Sequence, residues 1–137
     1  MKLVASLILA LSGALAGNAL AANWVDISPD PKKGIRHYLD TDSIERNLGS
    51  VVVWRMLDYP QPQRQRVDQQ VFASQRVQTE FDCAARAMRQ VYLAWYAAPM
   101  GAGIPLKESR EADDWQIDQF DALMLPVWQI ACGEFDR

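Results

Sequence analysis

Histidine and cysteine are scarce in this chain: His37, Cys83 and Cys132 are the only ones among 137 residues. The two cysteines make at most half a zinc site, and a lone histidine does not supply the four ligands of a structural one. The cysteines also lack the Cys-x-x-Cys spacing of a redox dithiol. No G-x-S-x-G elbow surrounds any serine, so Ser43, Ser50, Ser74 and Ser109 have no hydrolase context. There is no long basic run, and the formal net charge is −3. That balance argues against non-specific nucleic-acid binding as the main role. Internal repeats and low-complexity tracts are missing as well.

The long apolar run that does exist lies at the start. Lys2 precedes Leu3 to Ala16, and Ala19-Leu20-Ala21 follows with small residues at its first and third places. That order predicts a secretory signal peptide over 1–21, cleaved after Ala21. The run is shorter than the roughly 20 residues of a spanning helix, so no transmembrane anchor is expected after cleavage. No cysteine stands near the cut to carry a lipid. The expected location is therefore periplasmic or secreted, without lipidation. Residues 22–137 are of one domain's size. Two cysteines in an oxidising compartment predict a Cys83–Cys132 disulfide, the redox pair and the half metal site being the alternatives.

The mature region alternates short strand-like runs with turn residues, the pattern of an antiparallel sheet. Trp24 to Ile27 is the first candidate strand, ended by Ser28-Pro29-Asp30-Pro31. Ile35 to Leu39 follows, with Ile35, His37 and Leu39 on one face and Arg36 and Tyr38 on the other. Asp42 is placed to cap a helical turn over Ser43 to Arg46. Ser50 to Tyr59 alternates Val51, Val53 and Leu57 with Val52, Trp54 and Met56. Pro60 to Arg66 reads as a polar hairpin loop. Val71 to Cys83 puts Val71, Ala73, Val77, Phe81 and Cys83 on one side, with Phe72, Ser74, Arg76, Gln78, Glu80 and Asp82 opposite. Met88 to Ala97 alternates Val91, Leu93 and Trp95 with Tyr92 and Tyr96, and Pro99 to Pro105 is a glycine-containing loop carrying Met100 and Ile104. Trp115 to Cys132 shows helical periodicity, with Asp118 as N-cap, Gly133 as terminator and Pro126 as an expected distortion. If Cys83 ends a core-facing strand and Cys132 ends the helix, their bridge pins helix to sheet.

These residues resemble the surface-adhesin protein E family of Gram-negative bacteria over most of the mature chain. The resemblance runs through Trp24-Val25, Tyr38-Leu39-Asp40, Ser43-Ile44, Val51-Val52-Val53-Trp54, Asp58-Tyr59 with Pro60 and Gln63, and Ser74. Glu80-Phe81-Asp82-Cys83 is its most specific piece. Tyr92, Pro99-Met100-Gly101-x-Gly103, Trp115 and Cys132 complete it. It implies an α+β fold: an antiparallel sheet of about six strands, with a C-terminal helix tethered by Cys83–Cys132. It also implies a surface-exposed binding protein. The chain departs from the family in lacking a lipidation cysteine, in its Pro60 to Gln70 and Phe72 to Gln75 segments, and at Pro126. Fold therefore transfers better than function.

Candidate chemistry is sparse beside candidate surface. His37 reads as a packed or neutral strand residue, and Asp40 and Asp42 as turn and cap groups rather than a carboxylate pair. Asp113-Asp114 beside Trp115 resembles a sugar-contacting pair, with a solvated linker as the plainer reading. No catalytic residue, metal site or cofactor emerges, and a hydrolase ranks last. By contrast, five tryptophans and four tyrosines all lie beyond residue 21. Tyr38, Trp54, Phe72, Tyr92 and Tyr96 fall on strand faces opposite the assigned core, with Arg36, Arg76 and Arg89 near them. Either a second layer covers these rings, or they form a protein interface or a homodimer seam. The expected function is a non-enzymatic binding domain for a macromolecular partner, acting through that face, Arg76 and the loop residues Met100 and Ile104. The alternative is a structural or assembly accessory of the cell envelope in the periplasm.

Overall fold

The computed structural model describes residues 22–133 apart from Pro31 and Lys33. The expected signal peptide lies outside the described residues. Eight antiparallel strands form one sheet: β1 Trp24–Asp26, β2 Arg36–Asp40, β3 Glu45–Asn47, β4 Ser50–Arg64, β5 Val71–Asp82, β6 Ala87–Tyr96, β7 Lys107–Ser109 and β8 Gln116–Ile117. The main path runs β1-β2-β4-β5-β6-β7. Short β3 adds to β4, and β8 adds to β6. One helix, α1 (Met124–Cys132), closes the described chain.

The period-two pattern of the long strands decides which side the helix covers. Register pairs Leu39 with Arg55, Val51 with Phe81 and Val53 with Thr79, so these residues project from one face. Leu39, Val51, Val53 and Phe81 are buried there with Met124, Val127, Trp128, Ala131 and Cys132 of α1. The helical members recur at i, i+3, i+4, i+7 and i+8, one stripe of an α-helix. Phe81 is the centre of this layer, edge-on to Trp128 at 5.8 Å. Burying such a ring contributes about 2–3 kcal/mol. The Cys83–Cys132 disulfide ties the end of β5 to the end of α1 across a Cα–Cα distance of 5.5 Å. The bridge expected from two cysteines is present, and neither a dithiol nor a metal site is formed.

Several local expectations change. Ser43 to Arg46 is not a helical turn. Glu45–Asn47 pairs with the start of β4 through a two-residue turn at Leu48-Gly49, where Gly49 takes φ +84°. That positive φ suits glycine. It is Asp40, not Asp42, whose carboxylate organises the preceding turn, accepting from the Asn23 and Asp42 N–H groups. Pro60 to Arg66 is not all loop, because β4 continues to Arg64 past a register shift between Asp58 and Gln63. β2 begins opposite Asp58, and Pro60 and Pro62 fall beyond it, inside the irregular stretch between Asp58 and Gln63. At an irregularity of this kind proline can sit without breaking a ladder.

The helix is also shorter than the Trp115 to Cys132 periodicity suggests. Asp118 is no N-cap; it takes φ +56° and pairs with Arg86. Asp121 instead accepts from the N–H groups of Leu123 and Met124. Pro126 then falls in the first turn of α1, where its missing N–H has no intrahelical partner to lose. Proline sets where this helix starts rather than bending it.

Candidate functional site

Among the described residues, no helix lies on the opposite face of the sheet. Tyr38, Met56, Arg76 and Ala94 line up across β2, β4, β5 and β6 by register, and Trp54, Gln78 and Tyr92 form the next row. β6 keeps Tyr92 and Tyr96 on this side because Gln78 pairs with Tyr92 while Thr79 pairs with Gln90, leaving Val91 as an extra residue. That bulge re-aims the strand. Trp54 and Tyr92 meet edge-on at 5.1 Å.

Guanidinium groups stack on these rings. Arg76 lies 5.4 Å from the Tyr96 ring and 5.9 Å from Trp24. Arg110 lies 5.0 Å from Tyr92, Arg89 4.3 Å from Trp115, and Arg36 5.9 Å from Tyr38. Each such contact contributes about 0.5–1 kcal/mol at exposed sites. Carboxylates hold several of the arginines in place: Asp26 pairs with Arg36, and Glu80 with Arg89 at 2.7 Å. Hydrogen bonds from the Ser28 hydroxyl and N–H, with Arg36 adding its charge, hold the Asp26 carboxyl down at about 2. Burial and a hydrogen bond to Glu108 push the Tyr92 phenol up to about 12.

One end of this face is closed by a single 3-10 turn, Pro99–Gly101. Ser74 Oγ donates to the Ala98 carbonyl at 2.7 Å and accepts from the Gly101 N–H at 2.8 Å. Asp58 accepts from the Met100 N–H at 2.8 Å. Ser74 is thus a clamp between strand and loop. Gly101 takes φ +62°, and a Cβ on it would fall 2.5 Å from Arg76 Nε. Only glycine lets the turn lie against the guanidinium.

The candidate partner-binding residues therefore divide. Tyr38, Trp54, Arg76, Tyr92 and Tyr96 come together on the helix-free face. Tyr92 and Tyr96 are only 8% and 6% exposed. Trp54 and Tyr38 are half-buried. Phe72 is as buried as Tyr92 and Tyr96 but packs edge-on against Tyr59 at 5.5 Å instead of in their cluster. Met100 stands at the clamped turn, 40% exposed, and Ile104 is 90% exposed beyond it. Trp24, Arg110 and Trp115 join the face although sequence reasoning did not place them there. Their signal is tertiary, since each reaches the face from an edge strand or from the segments flanking β7 and β8.

The helix-covered face holds a polar cluster that strand alternation passed over. Arg55 lies in phase with Val51 and Val53 and is buried with His37 and Thr79. Its Nε donates to Thr79 Oγ1 at 2.9 Å, and Nη1 lies 3.2 Å from His37 Nε2. Burial, with the Arg55 charge adding, pushes His37 down to about 3, so the ring is neutral. Burial likewise lowers Arg55 to about 10, which leaves it charged at neutral pH. His37 Nε2 faces Arg55, and its buried Nδ1 has no hydrogen-bond partner among the described residues. Asp113 accepts from Gln90 Nε2, and Asp42 is exposed in its turn. Among the described residues no group of three or more His, Cys, Asp or Glu could hold a metal. No helix among them is long and apolar enough to cross a membrane.

A single antiparallel sheet, backed on one side by a disulfide-tethered helix and carrying an arginine–aromatic cluster on the other, defines a small disulfide-bonded α+β domain. The family model for surface-adhesin protein E matches residues 24–133, and the chain belongs to that family. Among solved structures, protein E from non-typeable Haemophilus influenzae is similar with a TM-score of 0.59 at 17% identity, covering 83% of this chain and 86% of that one. A second crystal form of Haemophilus influenzae protein E aligns with a TM-score of 0.55 at 20% identity over 82% of this chain and 99% of its own. At these identities the likeness is one of fold. No curated protein sequence matches significantly.

Proposed function

We propose that this chain is an exported, non-enzymatic binding protein that presents the helix-free face of its sheet to a macromolecular partner, a protein. The observation that carries this reading is the gathering of Tyr38, Trp54, Arg76, Tyr92 and Tyr96 on a surface over which no described helix or strand is layered. Tyr, Trp and Arg are the residues that dominate protein interfaces, because each combines large apolar area with a polar or charged tip. Membership of a surface-adhesin family supports the same reading. Residues 1–21 would direct export and be removed, leaving a periplasmic or secreted domain without a lipid.

The test is binding of the oxidised protein to immobilised extracellular-matrix proteins, with variants on both faces. Trp54→Ala should weaken binding at least about tenfold while leaving the fold intact. Ile130→Asp, on the exposed side of α1, should leave binding unchanged. Unchanged binding in both Trp54→Ala and Arg76→Ala would remove this face from consideration. A second reading, an envelope accessory that self-associates, follows from the same surface. Rings and guanidinium groups side by side are self-complementary, as a two-fold interface requires. Light scattering distinguishes the readings: a stable dimer dissociated by Trp54→Ala favours self-association.

A further inference from the structure

The polar cluster under the helix leaves two donors unused: His37 Nδ1, buried without a partner, and one nitrogen of Arg55. Arg55 spends Nε on Thr79 and Nη1 on His37. Its Nη2 has no hydrogen-bond partner among the described residues, and no carboxylate there lies within ion-pair distance. Asp121 acts on the guanidinium only at longer range, its Oδ1 being engaged by the Leu123 and Met124 N–H groups. Arg55 is nevertheless only 6% exposed. Nη2 keeps contact with solvent, and a mostly buried guanidinium whose one helping carboxylate, Asp121, is not directly paired with it gains from an anion brought to that edge.

Space for that anion adjoins it. Arg55 and Thr79 line a cavity of about 220 Å³ beneath the start of α1. Met88, Leu123 and Met124 give it an apolar wall, and Gln116 lies in its rim. Arg89 also lines it but is already paired with Glu80. The volume falls below the roughly 300 Å³ at which sites for drug-sized ligands begin. One free guanidinium edge and an apolar wall suit a single carboxylate with a short hydrocarbon tail. A phosphate would need more donors than this site offers.

We propose that this cavity binds a small amphipathic carboxylate, its anionic head on Arg55 and its tail against Met88, Leu123 and Met124. The site lies on the face opposite the proposed partner surface, so it stands or falls independently of that reading. The head group could belong to a free short-chain acid or to a C-terminal carboxylate on an apolar residue.

The probe is hexanoate, followed through ¹³C-labelled methionine methyl resonances of the oxidised protein. Met88 and Met124 line the cavity, whereas Met56 and Met100 lie away from it and serve as internal controls. Hexanoate should shift the first pair saturably and leave the second pair still. Hexanamide, neutral and of the same shape, should bind at least about tenfold more weakly, about 1.4 kcal/mol. Arg55→Met should abolish that preference. Should this buried substitution prevent folding, Gln116→Trp at the exposed rim blocks entry and should remove the shifts while the fold survives. A peptide ending in free leucine, compared with its amide, separates the two sources: shifts from the peptide acid alone assign a chain terminus, and shifts from hexanoate a free acid. Equal response to acid and amide, no saturable shift from either hexanoate or the peptide acid, or an unchanged response in a folded Gln116→Trp protein would overturn the proposal.

Discussion

The two faces of the sheet are stabilised by different means. Under α1, apolar side chains from both layers interlock and a covalent bridge holds the layers together. On the other face the described residues form no second layer, and side chains cover one another: rings lie edge-on, and arginines lie over rings. The first arrangement derives its strength from area removed from water, which is large and non-directional. The second consists of contacts individually near 1 kcal/mol, each with a polar tip that a partner can recruit. If the proposed binding face is right, stability and recognition fall on opposite sides of one sheet.

The comparison breaks most readily at the covered face. Phe81→Ala removes the ring at the centre of that layer and should cost about 3–5 kcal/mol, with a cavity left beneath Trp128. Replacing Cys83 and Cys132 by serine opens a loop with a sequence separation of 49 and should cost about 4 kcal/mol on the chain-entropy account. Denaturant titrations check both. A loss below about 1 kcal/mol in Phe81→Ala would mean that the helix-covered side is not the main core.

Acid should act on the same face next. His37 has its folded value pushed down to about 3, below the ordinary value of 6.5. Between those values the unfolded chain binds a proton that the folded one refuses. Stability is therefore complete above pH 6.5 and falls as pH drops, by up to about 1.4 kcal/mol per unit. Arg55 beside the ring opposes its charging, while Asp121 and Asp26 act more weakly in its favour. Asp26, held at about 2, adds to acid sensitivity only below its ordinary 3.8. His37→Gln keeps an acceptor for Arg55 and should flatten the slope between pH 6.5 and 4. An unchanged slope would assign the acid response elsewhere.

What the sequence disclosed about these faces followed from how strongly each signal repeats. Alternation along Val71 to Asp82 separates Val77 and Phe81 from Arg76 and Gln78, and the register agrees. The cysteine pair needed only a compartment to become a bridge. Glu45–Asn47 escaped notice because all three residues are exposed, so no apolar periodicity marks them. The helix read too long because Phe120 and Leu123 keep its spacing, although the chain becomes α-helical only from Met124. Arg55 broke the alternation of β4 without any local sign that His37 and Thr79 would meet it. Of the candidate surface, Tyr38, Trp54, Tyr92 and Tyr96 were legible from strand parity. Trp24, Arg110 and Trp115 were not, since edge segments bring them in from outside the central strands.

The smallest expected effect tests how the open face is closed at its end. Gly101 holds φ +62°, a region in which an alanine is strained, and the added Cβ would also press on Arg76 Nε. Gly101→Ala should therefore cost about 1–3 kcal/mol, part of it backbone strain and part displacement of the guanidinium from Tyr96 and Trp24. These parts separate in a double-mutant cycle. In an Arg76→Ala background the steric part disappears and only the backbone part remains, so the same substitution should cost less. Strict additivity would show that Gly101 is required by the turn alone and that the loop does not read the position of Arg76. A coupling of about 0.5 kcal/mol or more would tie the clamped turn, through Ser74 and Arg76, to the aromatic surface it borders.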